Sequence, residues 1–220
     1  MPPTIAFLHT SPVHVPTFSA LLESINPGAT SLHFVDELLL RDARAQGAAT
    51  PAIVLRVQEA VRAAAASGAT TVVCTCSTIG AAAEGTPTDG KFSSKRIDRA
   101  VANAAALAGP NILVVAALQS TLAPTSALVR DSARKLGLRV SLTEWLVSCA
   151  WQHFEEGRLN TYYAEIEAAV RNQLLEPNVV VLAQASMAPA AELLRDLGVP
   201  VLSSPALGVR DALGIAASVA

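Results

Sequence analysis

Val72-Val73-Cys74-Thr75-Cys76-Ser77-Thr78-Ile79-Gly80 is the stretch on which the fold turns. Thr70 to Cys74 is β-branched and apolar, the composition of a buried strand. Small polar residues follow at once, and Ala81-Ala82-Ala83 suits the start of a helix. A strand running into a polar turn and a helix puts Cys76 at the carboxyl end of a sheet, where open α/β folds place their ligands. Helix N-terminal N–H groups beside a thiol favour thiolate and bind anions. An inert small hydrophobe fits the same local sequence, since free cysteine is among the most buried residue types.

The flanks repeat this pattern. Thr4 to His9 reads as a first strand with a polar exit, His9-Thr10-Ser11-Pro12. A helix opening at Pro16-Thr17 stops at Asn26-Pro27-Gly28, a strong breaker. Ser31 to Val35 reads as a strand with Asp36-Glu37 at its exit, and Pro51 to Ala66 as an alanine-rich helix ended by Gly68. Glu84 to Ser94 holds Gly, Pro, Thr, Asp and Ser and reads as a long loop, a candidate lid, before a helix from Ser94 to Leu107. Beyond Gly109-Pro110, strands are expected at Ile112 to Ala117, Leu138 to Leu142, Asn178 to Ala183 and Val199 to Leu202. Helices are expected at Pro124 to Leu136, Trp145 to Glu156, Thr161 to Leu175, Pro189 to Leu197 and Ala206 to Val219.

The second half therefore replays the first. Thr10 matches Ala117 or Leu118, Asp36 matches Thr143 and Cys76 matches Gln184, each at an offset of about 108 residues. Alternating strands and helices predict parallel sheets, so the fold class is α/β with two similar lobes. The first lobe is expected over 1–110, completed by a C-terminal helix at about 205–220, and the second over 111–204. A pseudo-two-fold axis would bring both sets of strand exits to one cleft, a common place for a small ligand.

Composition narrows the function classes. With 51% hydrophobic and 15% charged residues, a sizeable core is available and global disorder is excluded. The net charge of −2 and the lack of a basic block argue against nucleic acid as a partner. No apolar run reaches membrane-spanning length, and the N-terminus has no basic signal-peptide region, so a cytoplasmic protein is the default. Three cysteines, with Cys74 and Cys76 in C-x-C spacing, suit neither a disulfide framework nor a zinc knuckle. His9, His14, His33 and His153 are scattered and predict no metal site.

The ordered motifs resemble the aspartate/glutamate/hydantoin racemase superfamily. Cys76-Ser77-Thr78 resembles its first-lobe Cys-Asn-Thr or Cys-Ser-Thr, and Arg96-Ile97-Asp98-Arg99-Ala100-Val101 its Ile-Asp-x-Ala/Pro-Met helix start. Ala117 to Thr125 is similar to Ala-Thr-x-x-Thr-Thr-Leu-x-Pro-Thr, and Val35-Asp36-Glu37 with Leu39 to Val-Asp-Glu-x-Leu. Val180 to Ala188 resembles Val-Leu-Gly-Cys-Ala-Gly-Met-Ala. The likeness covers nearly the whole chain in order. It implies two pseudosymmetric flavodoxin-like lobes, each with a mainly parallel sheet flanked by helices, and an active site in the cleft between them. It also implies a small carboxylate substrate, no cofactor and room for a homo-oligomer. In the racemases, one cysteine from each lobe flanks the substrate α-carbon, since inversion needs acid and base on opposite faces. The superfamily also contains arylmalonate decarboxylase, which protonates an enediolate with one thiol, and maleate isomerase, which uses the first-lobe cysteine as nucleophile.

The resemblance makes Cys76 the catalytic residue and Thr10, Ser11, Ser77, Thr78, Ser120, Thr121, Gln184 and Ser186 the substrate-binding set. Gln184 stands where the family has its second cysteine, and an amide is neither a useful base nor a useful acid near neutral pH. A racemase or isomerase is the family-level expectation. A one-cysteine lyase and a non-catalytic small-acid binder are the alternatives. Cys74 lies one pleat deeper than Cys76 and reads as core, as does Cys149 in apolar helical sequence. Trp145 and Trp151 read as core or interface, and His9 as structural or as a group that tunes the thiol.

Overall fold

The computed structural model describes residues 2–48, 50–173 and 176–215. The expected helix ends at 174–175 and 216–219 lie outside those residues. The chain divides into two compact units, residues 1–98 with 205–220 and residues 99–204.

The first unit holds β1 (Thr4–His9), α1 (His14–Ile25), β2 (Thr30–Val35), α2 (Glu37–Gln46), α3 (Pro51–Ala65), β3 (Thr71–Cys74), α4 (Gly80–Glu84) and β4 (Ser93–Arg96). Its four strands are parallel, in the order β2-β1-β3-β4. Ala6, Leu8, Val72 and Cys74 point to one face of this sheet, against Leu39 and Ala43 of α2, Val57 and Val61 of α3, and Ala83 of α4. Phe7 points to the other face and packs on Phe18 of α1, ring centroids 5.2 Å apart. A fully buried Val, Leu or Phe contributes about 1.5–3 kcal/mol, so the two apolar faces of β1 and β3 dominate this core.

The second unit holds α5 (Arg99–Ala108), β5 (Asn111–Ala116), α6 (Gln119–Lys135), β6 (Ser141–Leu146), α7 (Ser148–Glu155), α8 (Leu159–Arg171), β7 (Val179–Leu182), a 3-10 turn (Ala185–Met187), α9 (Ala188–Leu193) and β8 (Val201–Ser203). Its strands are parallel in the order β6-β5-β7-β8, the topology of the first unit over again. Leu113, Val115, Val180 and Leu182 pack against Ala150 of α7, Tyr162 and Ile166 of α8, and Ala190 of α9. The final helix α10 (Ser204–Ala212) falls, but for Ser204, within the first unit.

Several expectations are corrected. Residues 94–96 are not helical but belong to β4, a strand at the edge of its sheet whose Ser-Ser-Lys-Arg sequence carries no apolar signal. Trp145 lies in β6, also at a sheet edge and largely exposed, so the strand runs four residues past Leu142. The second-strand exits therefore match as Asp36 and Val147, not Asp36 and Thr143: their N–H groups donate to the equivalent carbonyls of His9 (2.9 Å) and Ala116 (2.8 Å). Asp36 caps an unexpected helix, α2, by accepting from the N–H groups of Leu38 (3.0 Å) and Leu39 (3.3 Å). The division after Asp98, rather than at 110, follows from α5. That helix packs on α6, β7 and β8, and Arg99 donates to Asp131 (2.9 Å) and Ser132 (3.3 Å) of α6.

Gly208 brings α10 close to its own unit. A Cβ there would lie 2.2 Å from the Ile97 carbonyl oxygen and 2.4 Å from Ile97 Cδ1. The obstacle is backbone, which cannot swing aside. Gly208→Ala is expected to cost about 1–3 kcal/mol in urea unfolding, although alanine is the better helix former. An unchanged midpoint would show that α10 is not packed this closely.

Candidate active site

β3 ends at Cys74, and residues 77–79 form a turn before α4. The Thr75 N–H donates to the Leu8 carbonyl at 3.0 Å, extending the β1–β3 pairing beyond its last register pair, Leu8 with Cys74. Carried two residues further, that register would set Thr10 opposite Cys76. Cys76 is partly exposed and packs at the rim of the α2–α3–α4 core, while Ser77 and Thr78 are buried. The five-residue α4 begins only at Gly80, so Cys76 sits before a turn and not in the first turn of a long helix. A five-residue helix that begins four residues on adds little dipole at this thiol.

The other two cysteines are poor rivals. Cys74 is 1% exposed, and burial pushes its thiol well above the ordinary range. Cys149 is not core but exposed, on a groove of about 650 Å³ with Trp145, Val147 and Glu165. Its Sγ meets Glu165 Oε2 at 3.6 Å, and both partial burial and that carboxylate raise its pKa. A negative group beside the thiol also repels a carboxylate ligand.

In the second unit the Ala183 N–H donates to the Val115 carbonyl at 2.9 Å, as Thr75 does to Leu8. Gln184 is thus the counterpart of Cys76 in the repeat. Its Oε1 accepts from the Ala117 N–H at 2.6 Å, which ties the exits of β5 and β7 together. That bond leaves the two NH₂ hydrogens and the second lone pair of Oε1 to other partners. Ser120 and Thr121 lie in the first turn of α6, and Ser120 Oγ is buried with no hydrogen-bond partner. Ser186 is brought against the core instead: its Oγ meets the buried Tyr162 hydroxyl at 2.8 Å. Thr10 is buried and Ser11 half-buried at the β1 exit.

His9 does not serve the thiol directly. It follows Phe7 on the α1 face of the sheet, whereas Cys74 and Cys76 pack on the opposite one. Three histidines that looked scattered in sequence meet there. His9 Nδ1 bonds Thr75 Oγ1 at 2.9 Å, and His9 Nε2 bonds His33 Nδ1 at 2.9 Å. His33 Nε2 bonds Ser19 Oγ at 2.8 Å, and His14 stands 6.3 Å from His9 by ring centroid. Burial first, then the neighbouring rings, lowers His9 to about 3, and burial lowers His14 to about 4 and also lowers His33. The rings are neutral spacers that lock the Thr75 side chain. The signal for this cluster is the β1–β2 register, which pairs Phe7 with His33 and is invisible in the sequence alone.

Sequence reading also missed Arg96 and Asp98 as a pair. Both are 4% exposed, joined by Nε to Oδ1 at 2.6 Å and Nη2 to Oδ2 at 3.0 Å. Among the described residues, no group of three or more His, Cys, Asp or Glu side chains is placed to hold a metal ion, and no helix is long and apolar enough to cross a membrane.

Two parallel α/β units of one topology, with the thiol of the first answered by an amide in the second, define the class of protein. The profile of the Asp/Glu/Hydantoin racemase family matches residues 14–212, and the chain belongs to that family. No curated protein matches the sequence. Among solved structures, it is similar to the aspartate racemase of Picrophilus torridus at 14% identity and a TM-score of 0.71, over 98% of this chain and 96% of that one. It is similar to a glutamate racemase of Bacillus anthracis at 15% identity and 0.70, over 96% and 80%. It is also similar to a Gly-to-Cys mutant of arylmalonate decarboxylase in a sulfate-associated form, at 18% identity and 0.55, over 96% and 92%. Identities this low speak for the shared fold.

Proposed function

We propose that the protein is an isomerase-class enzyme that works without a cofactor at the α-carbon of a small carboxylate, with Cys76 as acid/base or nucleophile. The observation that carries this reading is the contrast among the three thiols. Cys76 is accessible at a strand exit beside buried hydroxyls, Cys74 is sealed, and Cys149 faces a carboxylate. Taking the α-proton leaves the electron pair on the substrate carboxylate as an enediolate. Hydroxyl and N–H donors of the binding set that the family resemblance gives offset that charge, and the proton returns to carbon.

A second reading is favoured by one further observation. Gln184 stands at the repeat position where a two-thiol racemase has its second acid/base, its Oε1 accepts from the Ala117 N–H, and its amide is neither acid nor base near neutral pH. A single thiol suits a lyase in which loss of carbon dioxide makes the enediolate and Cys76 protonates it on one face.

The experiment that separates these readings is a screen of aspartate, glutamate, hydantoins, maleate and α-substituted malonates in deuterated water. Label at the α-carbon in both hands marks racemisation. Label in one hand with release of carbon dioxide marks the lyase, and a shifted double-bond geometry without α-label marks nucleophilic isomerisation. Binding with no turnover of any of them would reduce the protein to a small-acid binder and refute the enzyme reading.

Ser120 offers a sharper test of substrate contact. Because its Oγ has no partner, Ser120→Ala leaves nothing unsatisfied behind and is expected to keep stability within about 0.5 kcal/mol. Loss of one hydrogen bond to a carboxylate should raise KM about tenfold. Unchanged KM would remove Ser120 from the binding set.

A further inference from the structure

β4 ends in charge that solvent does not reach. The Arg96 guanidinium lies in two parallel bonds with Asp98, and its Nη2 also donates to the Ser77 carbonyl at 3.3 Å. Ser77 is the residue that follows the thiol. The same guanidinium lies against Gly80, where a Cβ would stand 2.9 Å from Nε and 3.0 Å from Cζ. The strand end that carries Arg96 is itself held: the Ile97 N–H donates to the Cys74 carbonyl at 2.9 Å, and Lys95 Nζ donates to Asp211 of α10 at 2.9 Å.

A buried ion pair is weak evidence for stability, because desolvating two charges offsets most of their attraction. This pair has a clear geometric consequence instead. One face of the guanidinium floors the turn, and one N–H grips its first carbonyl. We propose that Arg96, oriented by Asp98, is a positioning residue that fixes residues 76–79 and so fixes where the Cys76 thiol points. The inference rests on the reading of Cys76 as the reactive group. Lysine is no substitute, since an ammonium cannot lie flat on Gly80 while making two parallel bonds to Asp98 and a third to Ser77.

The test needs no substrate. Iodoacetate is both an alkylating agent and a small carboxylate, and iodoacetamide is its neutral counterpart. Mass-spectrometric mapping gives the rate of each reagent at Cys76, with Cys149 in the second unit as internal reference. In Arg96→Lys and Asp98→Asn, the preference of Cys76 for iodoacetate is expected to fall about 10-fold to 100-fold, as for a reacting group misplaced by about 1 Å. Cys149 should react as in the native protein. Free guanidinium ion at millimolar concentration should restore the preference in Arg96→Ala, a response that a merely structural role would not produce. If Arg96→Ala does not fold, Arg96→Lys decides. A preference in folded Arg96→Lys equal to that of the native protein overturns the inference, as does a folded Arg96→Ala that guanidinium leaves unchanged. A native protein without any preference at Cys76 removes the enzyme reading first, and the inference falls with it.

Discussion

Cys76→Ser is expected to lower turnover on the best substrate by about 10²–10⁴-fold, the usual contribution of a positioned acid/base. The hydroxyl nearly matches the thiol in shape, so packing at the rim of the α2–α3–α4 core should hold and the unfolding midpoint should stay near native. It is far harder to ionise, so proton transfer and nucleophilic attack both suffer. Cys74→Ser is the control. That side chain is sealed in the core, its Sγ 3.6 Å from the Cys76 carbonyl oxygen, and a hydroxyl there burdens stability more than chemistry. A Cys76→Ser protein that turns over substrate at the native rate would mean the reacting group lies elsewhere.

The second large effect concerns acid. His9 is fully buried and lowered from 6.5 to about 3, chiefly by burial. Unfolding returns the ring to water and to its ordinary pKa. Below pH 6.5 the unfolded chain therefore takes up a proton that the folded chain refuses, and stability falls as the pH drops toward 3. The slope is about 1.4 kcal/mol per pH unit for one such histidine, so His9 alone should remove about 2 kcal/mol between pH 7 and pH 5. His14, lowered to about 4, and His33 act in the same direction. Most carboxylates do not titrate in that window, which isolates the histidines. Urea unfolding at pH 7, 6 and 5 reads the effect. His9→Gln should flatten the slope by one histidine's share, and a native stability that is level across the window would show that these rings are not held neutral.

Legibility in the sequence followed burial. β1, β3, β5 and β7 lie inside their sheets with both faces covered, so they read as unbroken apolar runs. β4 lies at a sheet edge and carries Ser-Ser-Lys-Arg, which no apolar rule detects, and β6, Ser-Leu-Thr-Glu-Trp-Leu at the edge of its own sheet, was expected only as far as Leu142. The short α2 was signalled only by Asp36, whose capping role becomes plain once the helix is seen. Cys76 and Gln184 could be matched in the sequence because a strand exit is a local pattern that the repeat doubles. Arg96 could not be read this way, because its partners are a carbonyl nineteen residues back and a carboxylate two residues on, and only folding shows that all three are buried together. Gly80 held the one clue, a glycine following Cys-Ser-Thr-Ile with no positive φ to require it. Its reason is the guanidinium. Cys149 was misread as core because its helix is apolar on average, while its own position on that helix faces Glu165 and solvent.

The central claim is that a reactive thiol stands beside donors that hold a carboxylate. Competitive alkylation of the native protein by limiting iodoacetate and iodoacetamide, resolved by cysteine, tests it most directly. Near Glu165, Cys149 should favour the neutral reagent, and sealed Cys74 should react with neither. Cys76 is predicted to favour iodoacetate, and to be protected by whichever small carboxylate the protein binds. A Cys76 that prefers iodoacetamide as Cys149 does, and that no carboxylate protects, would contradict the account.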